Sequence, residues 1–172
     1  KTAYEIRNCD WSSDVCSSDL VFRAFKETPL TEVKAVVLGM CPYHTAINGV
    51  PVADGLLMGC SVTGKLQPSL DQFYRALEID VYDGLNLKYY KNPDVSYLAK
   101  QGVLMLNAAL TTEINKAGSH LELWHPFTKY VFETVLYYAG IPVVFLGKDS
   151  TRYKQYLPPM RDRKSTRLNS SH

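Results

Sequence analysis

The chain has 172 residues, a length that fits one domain and is too short for two comfortable ones. Hydrophobic residues make up 46% and charged residues 21%, which excludes disorder throughout, and no apolar run has membrane-spanning length. The net charge of +2 does not by itself indicate a nucleic-acid binder, although a local basic face is compatible with it.

The two ends of the chain differ from the middle. Residues 1–20 and 161–172 are rich in Ser, Asp, Asn and Arg and hold neither a helical nor a strand period. Both resemble translated sequencing-adapter sequence, so we interpret them as non-native or disordered tails on a fragment assembled from environmental reads. The predicted domain is residues 21–160, truncated at its C-terminal end.

Cysteine spacing indicates the compartment. The chain has four cysteines and no Cys-x-x-Cys pair, which argues against a disulfide framework and against a zinc ribbon. No signal peptide is visible. We therefore expect a reducing compartment, the cytoplasm or the nucleoid.

Helical patterns alternate with short apolar runs along the middle of the chain. In order, we predict a helix at 21–27, a strand at 34–39, a loop over 40–65 rich in Gly and Pro, a helix opened by a Ser69–Gln72 capping box, a helix at 95–100, a strand at 103–107, a helix at 126–139 and a strand at 142–147. Strands separated by helices predict an α/β fold with a parallel sheet and right-handed crossovers.

Ligands of such sheets bind beyond the carboxyl ends of the strands, so the segments of most interest are those that follow Gly39, surround Asn107 and follow Gly147. The segment 39–44 contains a Gly, a Pro and three reactive or polar side chains within six residues. A tight turn would also explain this composition. Asn107 follows four apolar residues, and a buried carboxamide can pair with a planar edge such as that of a base. A loop-capping role is the simpler alternative for Asn107. Ser119 and His120, which shortly precede Trp124 in the sequence, form a further candidate pair.

The order of these segments resembles the uracil-DNA glycosylase superfamily, most closely its family 1. The resemblance covers nearly all of residues 21–150. Its motifs are V-F-R-A-F at 21–25, V-K-A-V-V-L-G at 33–39, G-M-C-P-Y-H at 39–44 for the family's G-Q-D-P-Y-H, G-L at 55–56, S-V at 61–62, P-S-L at 68–70, Q-G-V-L-M-L-N at 101–107, S-H at 119–120, Trp124, F-T at 127–128 and V-F-L-G at 144–147.

This resemblance implies a fold and an activity. The fold is a three-layer α/β/α sandwich with a central parallel sheet in the order 2-1-3-4, and we expect the fourth strand to be missing and residues 142–146 to form an exposed edge. The activity is the flipping and excision of uracil from DNA by hydrolysis of the N-glycosidic bond, in base excision repair. We expect a monomer whose partner is uracil-containing DNA and which uses no cofactor and no metal.

The family's site residues transfer position by position. Asn107 would bind the uracil edge, and Tyr43 would stand where a thymine methyl group would lie. The catalytic positions are Cys41 and His44. The residues placed at uracil are Met40, Tyr43, Cys60 and Asn107, and those placed on the DNA backbone are Pro68, Ser69, Ser119 and His120.

Departures from the family predict weak catalysis. Cys41 occupies the position of an Asp that positions the attacking water and stabilises the cationic sugar, and a thiol with a pKa of about 8.5 is mostly neutral. Met40 replaces a Gln. Cys60 replaces the aromatic residue that stacks on uracil, a loss of roughly 1–3 kcal/mol. The family's H-P-S-P-L-S motif does not occur before the chain ends. We therefore expect this fragment to be weak or inactive.

Three other functions fit parts of the pattern. A non-catalytic DNA-binding relative would keep the pocket without the chemistry. A thiol-dependent enzyme would use Cys41 as nucleophile and His44 as base. A nucleotide-binding loop at 59–65 fits most of the Walker pattern, but Leu66 stands where Ser or Thr must bind magnesium. The cysteine spacing does not fit an iron–sulfur cluster.

Overall fold

The computed structural model describes residues 19–81, 91–137 and 139–158. The elements are α1 (Arg23–Glu27), β1 (Ala35–Gly39), β2 (Ala46–Ile47), β3 (Val50–Pro51), α2 (Pro68–Asp80), α3 (Ser96–Ala99), β4 (Val103–Asn107), α4 (Leu121–Tyr130), a π-helical stretch (Val131–Leu136), β5 (Val143–Phe145), α5 (Lys148–Thr151) and a 3-10 helix (Arg152–Tyr156). Nearly all of the two predicted tails lies outside the described residues.

β1 forms the centre of a parallel sheet in the order β4-β1-β5. Its apolar run is buried along most of its length, as a strand covered on both faces requires. β4 pairs with β1 from Ala35 opposite Val103 to Gly39 opposite Asn107. β5 pairs on the other side, with Val36 opposite Val143. The prediction of a parallel α/β sheet with the first strand in the middle is confirmed.

Aromatic side chains pack the helices against the sheet. The indole of Trp124 is almost fully buried and meets Phe22 and Phe127 edge to face, with ring centroids 6.1 and 5.6 Å away. Its N–H donates a hydrogen bond of 2.8 Å to the hydroxyl of Thr111. α4 is therefore fixed both to α1 and to the segment that follows β4.

The helix predicted at 126–139 begins earlier, at Leu121. The prediction took Pro126 as a first-turn residue, but Pro126 lies inside α4 and is exposed. Because proline has no N–H, the main-chain carbonyl of Glu122 has no helical hydrogen-bond donor. Glu122 is exposed, so water can donate to this carbonyl instead. The helix then widens into the π-helical stretch Val131–Leu136 instead of continuing regularly.

The capping box predicted at Ser69 is wrong. α2 begins at Pro68, the N-cap is Gln67, and no side chain caps the helix. A proline at the first helical position has its φ angle already set for the helix. The hydroxyl of Ser69 is instead hydrogen-bonded to the hydroxyl of Tyr43, 2.7 Å away.

The loop predicted over 40–65 contains one regular element. β2 and β3 form a two-residue antiparallel hairpin around Asn48 and Gly49, whose φ angles are +52° and +78°. An Asn-Gly pair is a strong hairpin signal, because both residues tolerate positive φ. β5 is also shorter than predicted and covers only Val143–Phe145.

In the described part of the chain, no helix combines the length and apolar character needed to cross a membrane.

The two outer strands of the sheet, β4 and β5, predict different mutational costs. Leu106 of β4 is fully buried, whereas Val144 of β5 is 42% exposed. We expect Leu106→Ala to lower the free energy of unfolding by about 2–5 kcal/mol, because it leaves a cavity. Val144→Ala should cost less than about 1 kcal/mol. Urea denaturation of both variants measures the difference, and equal losses would show that the outer face of β5 is covered.

Candidate active site at the strand ends

The carboxyl ends of β1 and β4 bring two of the predicted segments together. Gly39 lies opposite Asn107, and the pairing continues past both strands. Ala108 donates its N–H to the Gly39 carbonyl, and Ala109 donates to the Met40 carbonyl, both at 2.9 Å. Asn115 donates to the His44 carbonyl at 2.7 Å. The segment 40–44 therefore runs alongside residues 108–115.

Asn107 presents a buried amide oxygen at this edge. The residue is 4% exposed, and its Oδ1 atom accepts no hydrogen bond from the described residues. A Cβ built on Gly39 would lie 3.5 Å from this oxygen and 2.3 Å from Cδ1 of Leu57, so a larger residue there would displace the Leu57 side chain. An unpaired buried acceptor costs about 1–3 kcal/mol, which a ligand bearing an N–H donor would recover.

Tyr43 is tied to the start of α2. Its hydroxyl lies 2.7 Å from the Ser69 hydroxyl, so the segment 40–44 is held against the first turn of that helix. Burial raises the pKa of Tyr43 to about 12, and the nearby Cys60 and Asp54 groups act in the same direction. Tyr43 therefore stays neutral and lies close to Cys60. Pro68 and Ser69 are both exposed beside it.

Cys41 is held as a neutral thiol. Burial raises its pKa, and the negative charge of Asp149 raises it further, while interactions with the Gly118 main chain and the Thr112 hydroxyl oppose this. Asp149 lies in α5, directly beyond β5, so a third strand end also influences Cys41. Sequence reasoning pointed to the segment after Gly147 but did not single out Asp149.

The described contacts do not join Cys41 to His44. The groups that act on the Cys41 thiol are Gly118, Thr112 and Asp149. Nδ1 of His44 is buried and has no hydrogen-bond partner among the described residues. The hypothesis that Cys41 is a nucleophile and His44 its base therefore has no support from the described contacts.

Met40 directly follows β1, whereas Cys60 lies in the buried cluster that includes β1 and β4 residues. Cys60 is fully buried, and its N–H donates to the Pro93 carbonyl at 3.0 Å. Met40 is half-buried, and its sulfur would lie 3.6 Å from a Cβ built on Gly118. A single cleft formed by Cys41, Tyr43, Cys60 and Asn107 stays a prediction, to which the Tyr43–Cys60 proximity and the Gly39–Asn107 register lend support.

Ser119 and His120 close the turn that leads into α4. The Ser119 hydroxyl accepts a hydrogen bond of 2.8 Å from the Glu113 N–H. Nδ1 of His120 lies 2.9 Å from the Thr111 hydroxyl, which also accepts the indole N–H of Trp124. Both predicted DNA-contact residues thus have a structural role, and their contact with DNA stays a prediction.

Asp54 is a site residue that the sequence reasoning missed. It is fully buried and lies before the Gly55-Leu56 motif, where it pairs with Arg23 of α1 at 3.2 Å. Tyr43 is among the groups on which its charge acts. A charged residue inside an otherwise apolar segment, Val52–Cys60, was the available signal.

Comparisons with known proteins point to one family. A uracil-DNA glycosylase from Campylobacter curvus is 40% identical over 117 residues, which cover 67% of this chain and 47% of the relative. Another, from Pseudomonas paraeruginosa, is 41% identical over 117 residues, with the same shares. The chain thus spans about half the length of the curated relatives it matches.

Solved structures share the fold. The crystal structure of mimivirus uracil-DNA glycosylase superposes with a TM-score of 0.74 and 23% sequence identity, covering 91% of this chain and 62% of that chain. This likeness covers nearly all of the chain and shows that the fold is shared. No protein-family model matches the chain.

The environment of Cys41 predicts its reactivity. We expect iodoacetamide to alkylate Cys41 slowly at neutral pH and to become fast only at a higher pH than for an exposed thiol, because burial and Asp149 both raise its pKa. Asp149→Asn removes the negative charge, which should lower this pKa and speed alkylation near pH 8 modestly, because Asp149 is exposed and partly screened. Mass spectrometry of the Cys41 peptide measures the rate.

The control for this experiment is Asp80→Asn, at the exposed end of α2, which should leave the rate unchanged. A rate that is already maximal at neutral pH would contradict the raised pKa of Cys41.

Proposed function

Because the chain belongs to the uracil-DNA glycosylase superfamily, we propose that it recognises uracil in DNA and promotes hydrolysis of the bond between the base and its sugar. We place it in the family 1 branch on the strength of the motif Gly39–His44. The natural partner is uracil-containing DNA, and the protein acts as a monomer in the cytoplasm or the nucleoid. Because the chain spans about half of its relatives, these proposals concern the whole protein as well as this fragment.

The observation that carries this proposal is the buried amide of Asn107. Uracil presents an N–H between two carbonyl oxygens, and a carboxamide offers one acceptor and two donors. Oδ1 of Asn107 is buried and accepts nothing from the described residues, so it suits the imide N–H of a flipped base. The amide stands at the end of β4, a rigid strand, which favours precise recognition.

Tyr43 is proposed to exclude thymine. A methyl group at C5 of the base would approach the phenol ring, and the hydrogen bond to Ser69 restrains that ring from moving aside. A barrier of this kind works by steric exclusion, so it needs a fixed ring more than a charged one. The neutral state that burial imposes on Tyr43 agrees with this role.

The DNA backbone is proposed to cross the exposed first turn of α2 and the turn before α4. Pro68, Ser69 and Ser119 are exposed there, and His120 is partly exposed. Contacts from such residues to phosphates position the strand and carry no sequence information.

Catalysis is proposed to be the weak point of this chain. As uracil leaves, positive charge develops on the sugar, and a fixed anion beside it lowers the barrier. Cys41 occupies that position as a protonated thiol, since burial raises its pKa. We therefore infer that the fragment binds uracil-containing DNA better than it cleaves it. The same observation favours the second candidate function, a DNA-binding relative without catalysis.

Base recognition is tested by Asn107→Asp. We expect this variant to lose its preference for a single-stranded oligonucleotide with 2′-fluoro-deoxyuridine, which resists cleavage, over the same strand with thymidine. A good bidentate pair contributes about 1–3 kcal/mol of discrimination, so the preference should fall by about fivefold to 150-fold. Fluorescence anisotropy measures both affinities.

The matched control for base recognition is Gln155→Glu, the same exchange of amide for carboxylate on the exposed 3-10 helix. It should keep the preference of the parent. A parent chain that binds both oligonucleotides equally would refute the proposed function.

The chemical role of position 41 is tested by Cys41→Asp. We expect faster release of uracil from a labelled single strand than with Cys41→Asn, because a carboxylate restores the anion beside the sugar. Losing one such group costs about 10²–10³ in rate, which bounds the gain. Carrying the exchange into a longer form with the family's His motif should enlarge the effect.

A thiol enzyme would give the opposite result at position 41. Cys41→Asp and treatment with iodoacetamide would both abolish its activity. Robust excision by the parent chain, lost on alkylation, would overturn the interpretation of Cys41 as an altered Asp position.

A further inference from the structure

The loop from Asp54 to Ser61 closes around one buried carboxylate. Asp54 is 0% exposed, and its Oδ1 accepts the N–H of Leu56 at 3.1 Å. Its Oδ2 accepts the N–H of Ser61 at 3.1 Å and the Ser61 hydroxyl at 2.6 Å. One side chain therefore holds both ends of this loop, which we call the wall loop.

Arg23 supplies the charge that Asp54 needs. Its Nη1 lies 3.2 Å from Oδ2 of Asp54 and donates to the Asp54 main-chain oxygen at 3.0 Å. The same guanidinium reaches Glu27 at 3.3 Å and Asp94 at 3.9 Å. A buried carboxylate is costly unless it is paired and hydrogen-bonded, and here it is both. The pair joins α1 to the wall loop and to the turn before α3.

The wall loop also fits the carboxylate sterically. A Cβ built on Gly59 would lie 2.1 Å from Oδ1 of Asp54, so only glycine allows the chain to pass. Leu57 donates its N–H to the Met105 carbonyl of β4 at 3.0 Å, which fixes the loop to the sheet. The path of the loop is thus set by the carboxylate on one side and by β4 on the other.

Two wall-loop side chains face the residues assigned to base recognition. Cδ1 of Leu57 lies over Gly39, next to Oδ1 of Asn107. Cys60 is fully buried in the apolar cluster against which Tyr43 packs. Cys60 has no ring to stack on a base, so the fit of a base depends on where the loop places these small side chains.

We propose that Asp54, charge-balanced by Arg23, is a positioning residue for base recognition: it fixes Leu57 and Cys60 as a rigid wall against Asn107 and Tyr43. Recognition of a flipped pyrimidine then depends on an ion pair that does not touch the base. This inference rests on the proposed function, since the wall matters to a ligand only if a base enters the site.

The first test measures whether Asp54 orders the wall loop. Asp54→Asn keeps the size of the side chain but gives it an N–H₂ group that cannot accept the bonds from Ser61. We expect Cys60, resolved by peptide mass spectrometry, to react with iodoacetamide about tenfold faster per thiolate in this variant than in the parent. The ionised fraction is taken from the pH profile of each variant, because the loss of the Asp54 charge by itself lowers the pKa of Cys60. Asp80→Asn, at the exposed end of α2, should leave the rate unchanged. An unchanged Cys60 rate per thiolate in Asp54→Asn overturns the proposal.

The second test separates positioning from general stability. At a temperature well below unfolding, we expect Asp54→Asn to lower the preference for 2′-fluoro-deoxyuridine over thymidine by about tenfold, while the affinity for the thymidine strand is kept. An equal fall in both affinities would indicate a purely structural role and overturn the proposal. If the unmodified chain binds the 2′-fluoro-deoxyuridine and thymidine strands equally, the proposed function and the recognition role of Asp54 are both refuted. The alkylation rate of Cys60 still decides whether Asp54 orders the wall loop.

If Asp54→Asn does not fold, Ser61→Ala takes its place. This variant removes the 2.6 Å hydroxyl hydrogen bond and keeps the carboxylate paired with Arg23. We expect an increase in the Cys60 rate and a loss of preference, both smaller than for Asp54→Asn. No change in either measurement overturns the proposal.

Discussion

The register between β1 and β4 is the constraint on which the candidate site depends. Because Gly39 lies opposite Asn107, the amide stands beside the end of the central strand, and the chain beyond each strand pairs with the other. A slip of one residue would turn Asn107 to the opposite face of the sheet. The hydrogen bonds that continue the pairing past both strands, from Ala108 to Gly39 and from Ala109 to Met40, hold this register and so set the geometry of the site.

The electrostatics of the site favour holding a neutral ligand over stabilising a cation. Burial keeps Cys41 and Tyr43 protonated, and the carboxylate of Asp54 is neutralised by Arg23. Asp149 adds a negative charge from the exposed side of β5, where solvent screens it. An uncharged, hydrogen-bonding base suits these surroundings better than a developing oxocarbenium ion does.

The sequence predicted what depends on local pattern and missed what depends on distant partners. β4 was predicted residue for residue, since its apolar run is bounded by Gly102 and ends in Asn107. The start of α4 was missed because Pro126 is tolerated inside the helix, on its exposed face. Local periodicity cannot predict a contact between residues far apart in the chain. Ser69 pairs with Tyr43 across 26 positions, and Asp54 pairs with Arg23 across 31 positions.

The ion pair inside the wall loop has a consequence for how the sequence can diverge. Replacing Arg23 alone leaves a buried anion without a counter-ion, and replacing Asp54 alone leaves a cation and three donors facing an empty acceptor position. Each single step is costly, whereas an uncharged pair of matching shape is accessible once both positions change. The effects of substitutions at positions 23 and 54 on the free energy of unfolding are therefore coupled and do not add.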